Sequence, residues 1–194
     1  MRFASGSLSS LKPARVRGLG RPYVAREALK AGQGSRVAKS AYVPAGRALH
    51  LVDFENLSGG PFATAAQMQS ASVRFRRLAE VSRGDHVCVA VNPELVFEAK
   101  AHFSEARILS RRGKDGADLA LLEHASNNRW VASRFDRVVI GSGDGIFEDK
   151  ALALRSLGVT VGVIGRVGGT AQGLRRVATY VREISSGDRT YAAC

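Results

Sequence analysis

The chain has 194 residues, 45% hydrophobic and 24% charged, with 29 Lys and Arg against 17 Asp and Glu and a formal net charge of +12. That size and composition suit one globular domain with its own core plus an appendage. Two cysteines, Cys88 inside an apolar run and Cys194 at the terminus, lack a partner Cys or His at the usual zinc-ligand spacing, so neither a disulfide framework nor a structural zinc is expected.

No apolar run approaches the roughly 18 residues of a membrane span, and the N-terminus lacks the apolar core of a secretory signal. The protein is therefore expected to be soluble and cytoplasmic. Its sequence pI near 10.6 predicts attraction to polyanions such as nucleic acid or anionic lipid.

Residues 1–46 carry +8 of the +12, with nine Lys or Arg against the single acid Glu27. Ser, Gly and Ala fill much of the remainder and no apolar period is sustained, so too little surface is buried there to offset ordering entropy. This segment reads as a basic, flexible N-terminal arm; an Arg- and Ser-rich, acid-poor start also fits an organelle transit peptide. Residues 47–194 form the expected folded domain.

Within it, short apolar runs alternate with helical periodicity. Strands are expected at Leu49 to Val52, His86 to Val91, Ala106 to Leu109, Arg137 to Ile140 and Val159 to Ile164. Helices are expected at Ala63 to Val81, Pro93 to Phe103, Ala117 to Asn127, Phe147 to Leu157 and Ala171 to Tyr180. Runs such as "RVVIGS" and "VTVGVIG" lack in/out alternation, which marks strands buried on both faces. Five such alternations predict an α/β three-layer sandwich around a central, mostly parallel sheet of about five strands.

Ligands of open parallel sheets bind beyond the carboxyl ends of the strands. Asp53 and Asn56 follow the first predicted strand, and Ser142 and Asp144 follow the fourth, with Glu148 and Asp149 just behind. Asp115 and Asp118 open the helix after the third. Leu121, Leu122 and Ala125 lie three, four and seven residues past Asp118, so that carboxylate starts the face that meets the sheet. Singly, each acid is explained by helix capping or a turn. Gathered in one crevice they repel one another unless a cation is present, and an all-oxygen set suits Mg²⁺ or Mn²⁺.

"GSGDG" at residues 141 to 145 is not a dinucleotide fingerprint. It lacks the final glycine, follows the fourth strand, and carries an acid that would repel a pyrophosphate. Trp130 and Phe135 are expected at the core edge around a loop, His86 and Cys88 are expected to pack within their strand, and His50 is expected to be a satisfied core histidine.

"LVDFENL", "KDGADLALLEHA" and "VVIGSGDGIFEDKALALRSLGVTVGVIGR", in that order, resemble the NYN domains, a branch of the PIN-like metal-dependent ribonucleases. The resemblance spans about Leu49 to Ile184. It implies endoribonuclease activity, with Mg²⁺ or Mn²⁺ as cofactor and RNA as partner. It implies Asp53, Asn56, Asp118 and Asp144 as catalytic residues, with Asp53, Asp118 and Asp144 holding the metal. Asn56 and Ser142 would contact substrate, and Lys114 and Arg112 would meet backbone phosphates.

The sequence departs from the family pattern where Ile146 and His124 replace acids; Asp149 or Glu148 stands close enough to compensate for the first. Glu55 is read as a bystander. Two other readings stay open: an inactive PIN-like domain that binds RNA or a protein partner, and a metal-dependent phosphatase or nucleotide-processing enzyme. A membrane partner is not expected, and homo-oligomerisation is left open.

Overall fold

The structure, a computed structural model, describes residues 46–185. The arm expected at residues 1–46, Gly46 apart, lies outside the described residues, as do the last nine residues of the expected domain. Six strands form one sheet: β1 (Ala48–Asp53), β2 (His86–Val91), β3 (Arg107–Ser110), β4 (Arg137–Gly141), β5 (Thr160–Arg166) and β6 (Tyr180–Ile184). Their order is β3-β2-β1-β4-β5-β6 and every pairing is parallel.

Among the described residues seven α-helices cover the sheet on both faces. Helices α1 (Phe54–Ser58), α2 (Ala65–Ala79) and α3 (Val96–His102) lie on one face, around Phe54, Phe75 and Phe103. Helices α4 (Gly116–His124), α5 (Asn128–Arg134), α6 (Glu148–Ser156) and α7 (Gln172–Val177) lie on the other, around Leu121, Phe147 and Leu154. The three-layer α/β sandwich is thus as expected, with six strands where about five were read. All of the central strands β1, β2, β4 and β5 are buried along most of their length, which is why they read as unbroken apolar runs.

Three elements differ from the sequence reading. α1 is only five residues long and lies in a stretch read as a turn; Asp53 caps its start and Gly59, at φ 113°, ends it in the left-handed conformation. α5 occupies what was read as a loop, so Trp130 belongs to a helix, with Phe135 buried just beyond its end. The single helix expected from Ala171 to Tyr180 stops at Val177, and β6 follows as a half-buried edge strand.

The strand order reverses between β1 and β4, which lie side by side with Val52 opposite Gly141. In an open parallel sheet that reversal leaves a crevice between the loops leaving the two strands. Here those loops begin with Asp53 and Ser142.

Candidate functional site

Side chains alternate along a strand, so Asp53 shares the face of Leu49 and Leu51, which pack toward α4. From the other side, Asp118 sits on the buried stripe of α4 with Leu121. Both carboxylates are only 6% exposed. They interact directly, and burial raises the pKa of Asp53 while burial and Asp53's charge push that of Asp118 up to about 8. Asp144 and Asp115 add to the repulsion on Asp118. Without a cation the buried pair therefore keeps a proton at neutral pH. One oxygen of Asp118, Oδ1, is buried without a hydrogen-bond partner, a cost that a bound cation would remove.

A hydrogen-bonded chain ties the two strand ends together. Asp53 Oδ1 accepts from the Asn56 backbone at 3.1 Å, Asn56 Oδ1 accepts from the Gly143 backbone at 3.1 Å, and Ser142 Oγ accepts from the Asp144 backbone at 3.2 Å. Asn56 thus fastens the β1 loop to the β4 loop and keeps its NH₂ as a donor. Gly143 has no room for a side chain, because a Cβ there would lie 2.1 Å from the Gly169 carbonyl oxygen of the β5 loop.

The structure places the remaining candidates unequally. Asp144 is exposed, with Oδ1 accepting from the Ile146 backbone at 2.9 Å. Ile146 packs against the core, which accounts for an apolar residue there. Asp149 is exposed in the first turn of α6, while the Glu148 carboxylate lies against Gly173 of α7. Lys114 and Arg112 are exposed on the loop between β3 and α4. The three acids do not bring donor atoms within 4.8 Å of one another; among the described residues only His86, Cys88 and His124 do so as a group of three. The acidic centre is a tight pair, Asp53 and Asp118, with Asp144 at its rim.

A cavity of about 170 Å³ opens over the pair, lined also by Glu55, Asn92, Arg111 and Asp115. Glu55 was read as a bystander. Its carboxylate instead accepts from the backbone of Asn92 at the end of β2, and its charge raises the pKa of Asp53. Asp115 is held at φ 55°, and Gly116 beside it lies so near the Arg111 carbonyl that a Cβ would meet it at 2.4 Å. Arg111 was missed because the loop turns it, and not Arg112 or Lys114, into the cavity wall; no pattern in "SRRGKDG" distinguishes the three. An all-oxygen pair with an unsatisfied atom and room above it fits a hard divalent cation with part of its water shell.

Among the described residues no helix is long and apolar enough to cross a membrane. Residues 95–185 match the family model of the NYN domain, a PIN-like nuclease family. The match takes in Asp118 and Asp144 and begins beyond Asp53 and Asn56. The crystal structure of a protein of unknown function from Vibrio parahaemolyticus is similar in fold, with a TM-score of 0.52 at 18% identity over 74% of this chain and 94% of that one. No curated protein matches the chain.

Proposed function

We propose, with the NYN domain match as premise, that this crevice hydrolyses phosphodiester bonds in RNA with Mg²⁺ or Mn²⁺ as cofactor. The observation that carries the reading is the buried pair Asp53 and Asp118, two carboxylates in contact at the reversal of strand order, one with an unsatisfied oxygen. Carboxylates so placed are costly to the fold unless they serve a ligand.

Asp53 and Asp118 would hold the cation, with Asp144 and Asp149 as the outer acids. When bound, the ion supplies a coordinated water of lowered pKa and stabilises charge on the departing oxygen. Asn56 keeps the two loops in register and offers its NH₂ to a phosphate oxygen. Ser142, fully buried, holds the backbone that presents Asp144. Arg111 in the cavity wall, with Arg112 and Lys114 exposed on the same loop, would meet phosphates, and the basic arm would add affinity through counterion release.

A second reading has its own support: Asp144 is exposed, and Ile146 is committed to the core, so the metal set is short of acids. On that reading the domain binds RNA without cutting it. Cleavage of a labelled RNA in Mn²⁺ and in EDTA, comparing wild type with Asp118→Asn and Asp144→Asn, separates the two. The nuclease reading expects cleavage that EDTA abolishes and Asp118→Asn lowers by at least about 100-fold, roughly 2.7 kcal/mol of barrier. Cleavage indifferent to both would sink it, and binding without cleavage favours the second reading.

A further inference from the structure

His86 and Cys88 project from the same face of β2, two residues apart, and His124 arrives from the last turn of α4. Their donor atoms, imidazole nitrogens and Sγ, all lie within 4.8 Å of one another. Cys88 is fully buried and the two histidines are half-buried. The rings of His86 and His124 stack at 6.0 Å between centroids, and Phe135 stacks against His86 at 6.3 Å. Asp118 and His124 are separated by about 9 Å along the axis of α4, so this cluster is a separate place from the acidic crevice.

We propose that His86, Cys88 and His124 form a zinc site at the amino-terminal edge of the sheet, with three protein ligands and a fourth position open to water. The donor chemistry is the first argument: one thiolate and two imidazoles select Zn²⁺ and other borderline or soft ions over Mg²⁺ and Mn²⁺, which prefer oxygen. Geometry is the second. Tetrahedral zinc with N and S ligands needs donor separations of about 3.3–3.6 Å, so the cluster closes on an ion by movements of about 1 Å. The two half-buried rings have that freedom, while Cys88 is fixed in its strand.

Protonation is consistent with this. Burial and the nearby Arg107 guanidinium lower the pKa of both imidazoles, leaving them neutral with lone pairs available. Burial pushes the Cys88 thiol up to about 12, so the site waits as a thiol, and binding releases that proton to solvent as the Zn–S bond forms. A cavity of about 420 Å³ borders His124, one of the three proposed ligands. Spacing within the sequence hides the site, because His124 is 36 residues beyond Cys88 and is delivered by the fold.

Titration of the full chain with Co²⁺, followed by absorbance, tests the proposal. The expected result is one equivalent bound with tetrahedral d–d bands and a thiolate-to-cobalt charge-transfer band, all displaced by Zn²⁺. An oxygen-only crevice cannot produce that band. Cys88→Ala should abolish it, His124→Gln should weaken Co²⁺ binding at least 10-fold, and Cys194→Ser should leave it unchanged. Circular dichroism of each variant reports folding, and the half-buried His124 site keeps the test open if Cys88→Ala fails to fold. Absence of a charge-transfer band at saturating Co²⁺, a band that survives His124→Gln at unchanged affinity, or one lost in Cys194→Ser would overturn the proposal.

Discussion

Asp118 holds the most perturbed carboxyl of the crevice, and its perturbation has a definite sign. In the unfolded chain an aspartate titrates near 3.9; in the fold Asp118 titrates at about 8 because it is buried beside Asp53. Between those values the folded state holds a proton that the unfolded state has lost, so stability without metal falls as pH rises from about 4 to about 8. Asp118→Asn removes that limb. In EDTA the variant should be more stable than wild type by about 0.5–2 kcal/mol at pH 8 and by much less at pH 5, read by urea denaturation. Mn²⁺ should stabilise wild type at pH 8 and leave the variant nearly unmoved; equal pH profiles for the two proteins would count against the buried pair. The candidate acids were readable because each follows an apolar run or opens an apolar helical stripe. Glu55 was not, since its partner, the Asn92 backbone, is 37 residues away and enters only through the pairing of β1 with β2.

The strands carry a second polar cluster, at the end of the sheet opposite the crevice. His50 of β1 is fully buried, its Nε2 3.0 Å from Asp85 Oδ2 on the turn before β2, and Arg137 of β4 lies 3.9 Å from the same carboxylate. Asp85 also accepts from the backbones of Ala48 and Ser82. One side chain therefore fastens the starts of three neighbouring strands. Hydrogen bonds hold the Asp85 pKa below the ordinary value, and burial lowers that of His50. Both effects make stability fall with acidity: the His50 contribution begins to be lost below about pH 6.5 and that of Asp85 below about pH 4. Asp85→Ala should cost about 3–5 kcal/mol, as expected when one partner of a buried ionic cluster is removed. Thermal denaturation measures it, and a loss below 1 kcal/mol would show that the strand starts are held by packing alone. At this scale the sequence was most readable where burial is two-sided, although the short apolar run of the half-exposed β3 was read as well. The strands β1, β2, β4 and β5 declared themselves, whereas β6, "YVREI", sets Arg182 and Glu183 side by side at a half-buried edge, shows neither an apolar run nor a regular alternation, and its first residue merged with the helical pattern ahead of it. α1 hid for another reason: five residues closed by Gly59 are too few to show a helical period.

For the whole molecule, a parallel sheet followed from the apolar runs, but strand order did not, because no local pattern states which strand pairs with which. Charge is distributed just as unevenly as burial: residues 1–46 hold +8, leaving +4 for residues 47–194, whose crevice is itself lined by acids. An acidic crevice repels the phosphates it is proposed to cut, so long-range attraction must come from elsewhere on the chain. The arm is the largest source of it. Each phosphate neutralised on a single strand contributes about −0.7 to the slope of log K against log salt. If all nine basic residues of the arm engage, they account for about −6 of the slope, and changing them together to glutamine should remove most of it. RNA affinity of the full-length variant, measured at several salt concentrations, should lie far below that of wild type at low salt and converge on it at high salt. If the domain cuts RNA as proposed, its cleavage rate at saturating RNA should stay within about two-fold, because the proposed reaction is placed on Asp53 and Asp118 and asks nothing of the arm. An unchanged salt slope would mean that the RNA is held by Arg111, Arg112 and Lys114 at the crevice rim, and would transfer the recognition problem from the arm to the loop between β3 and α4.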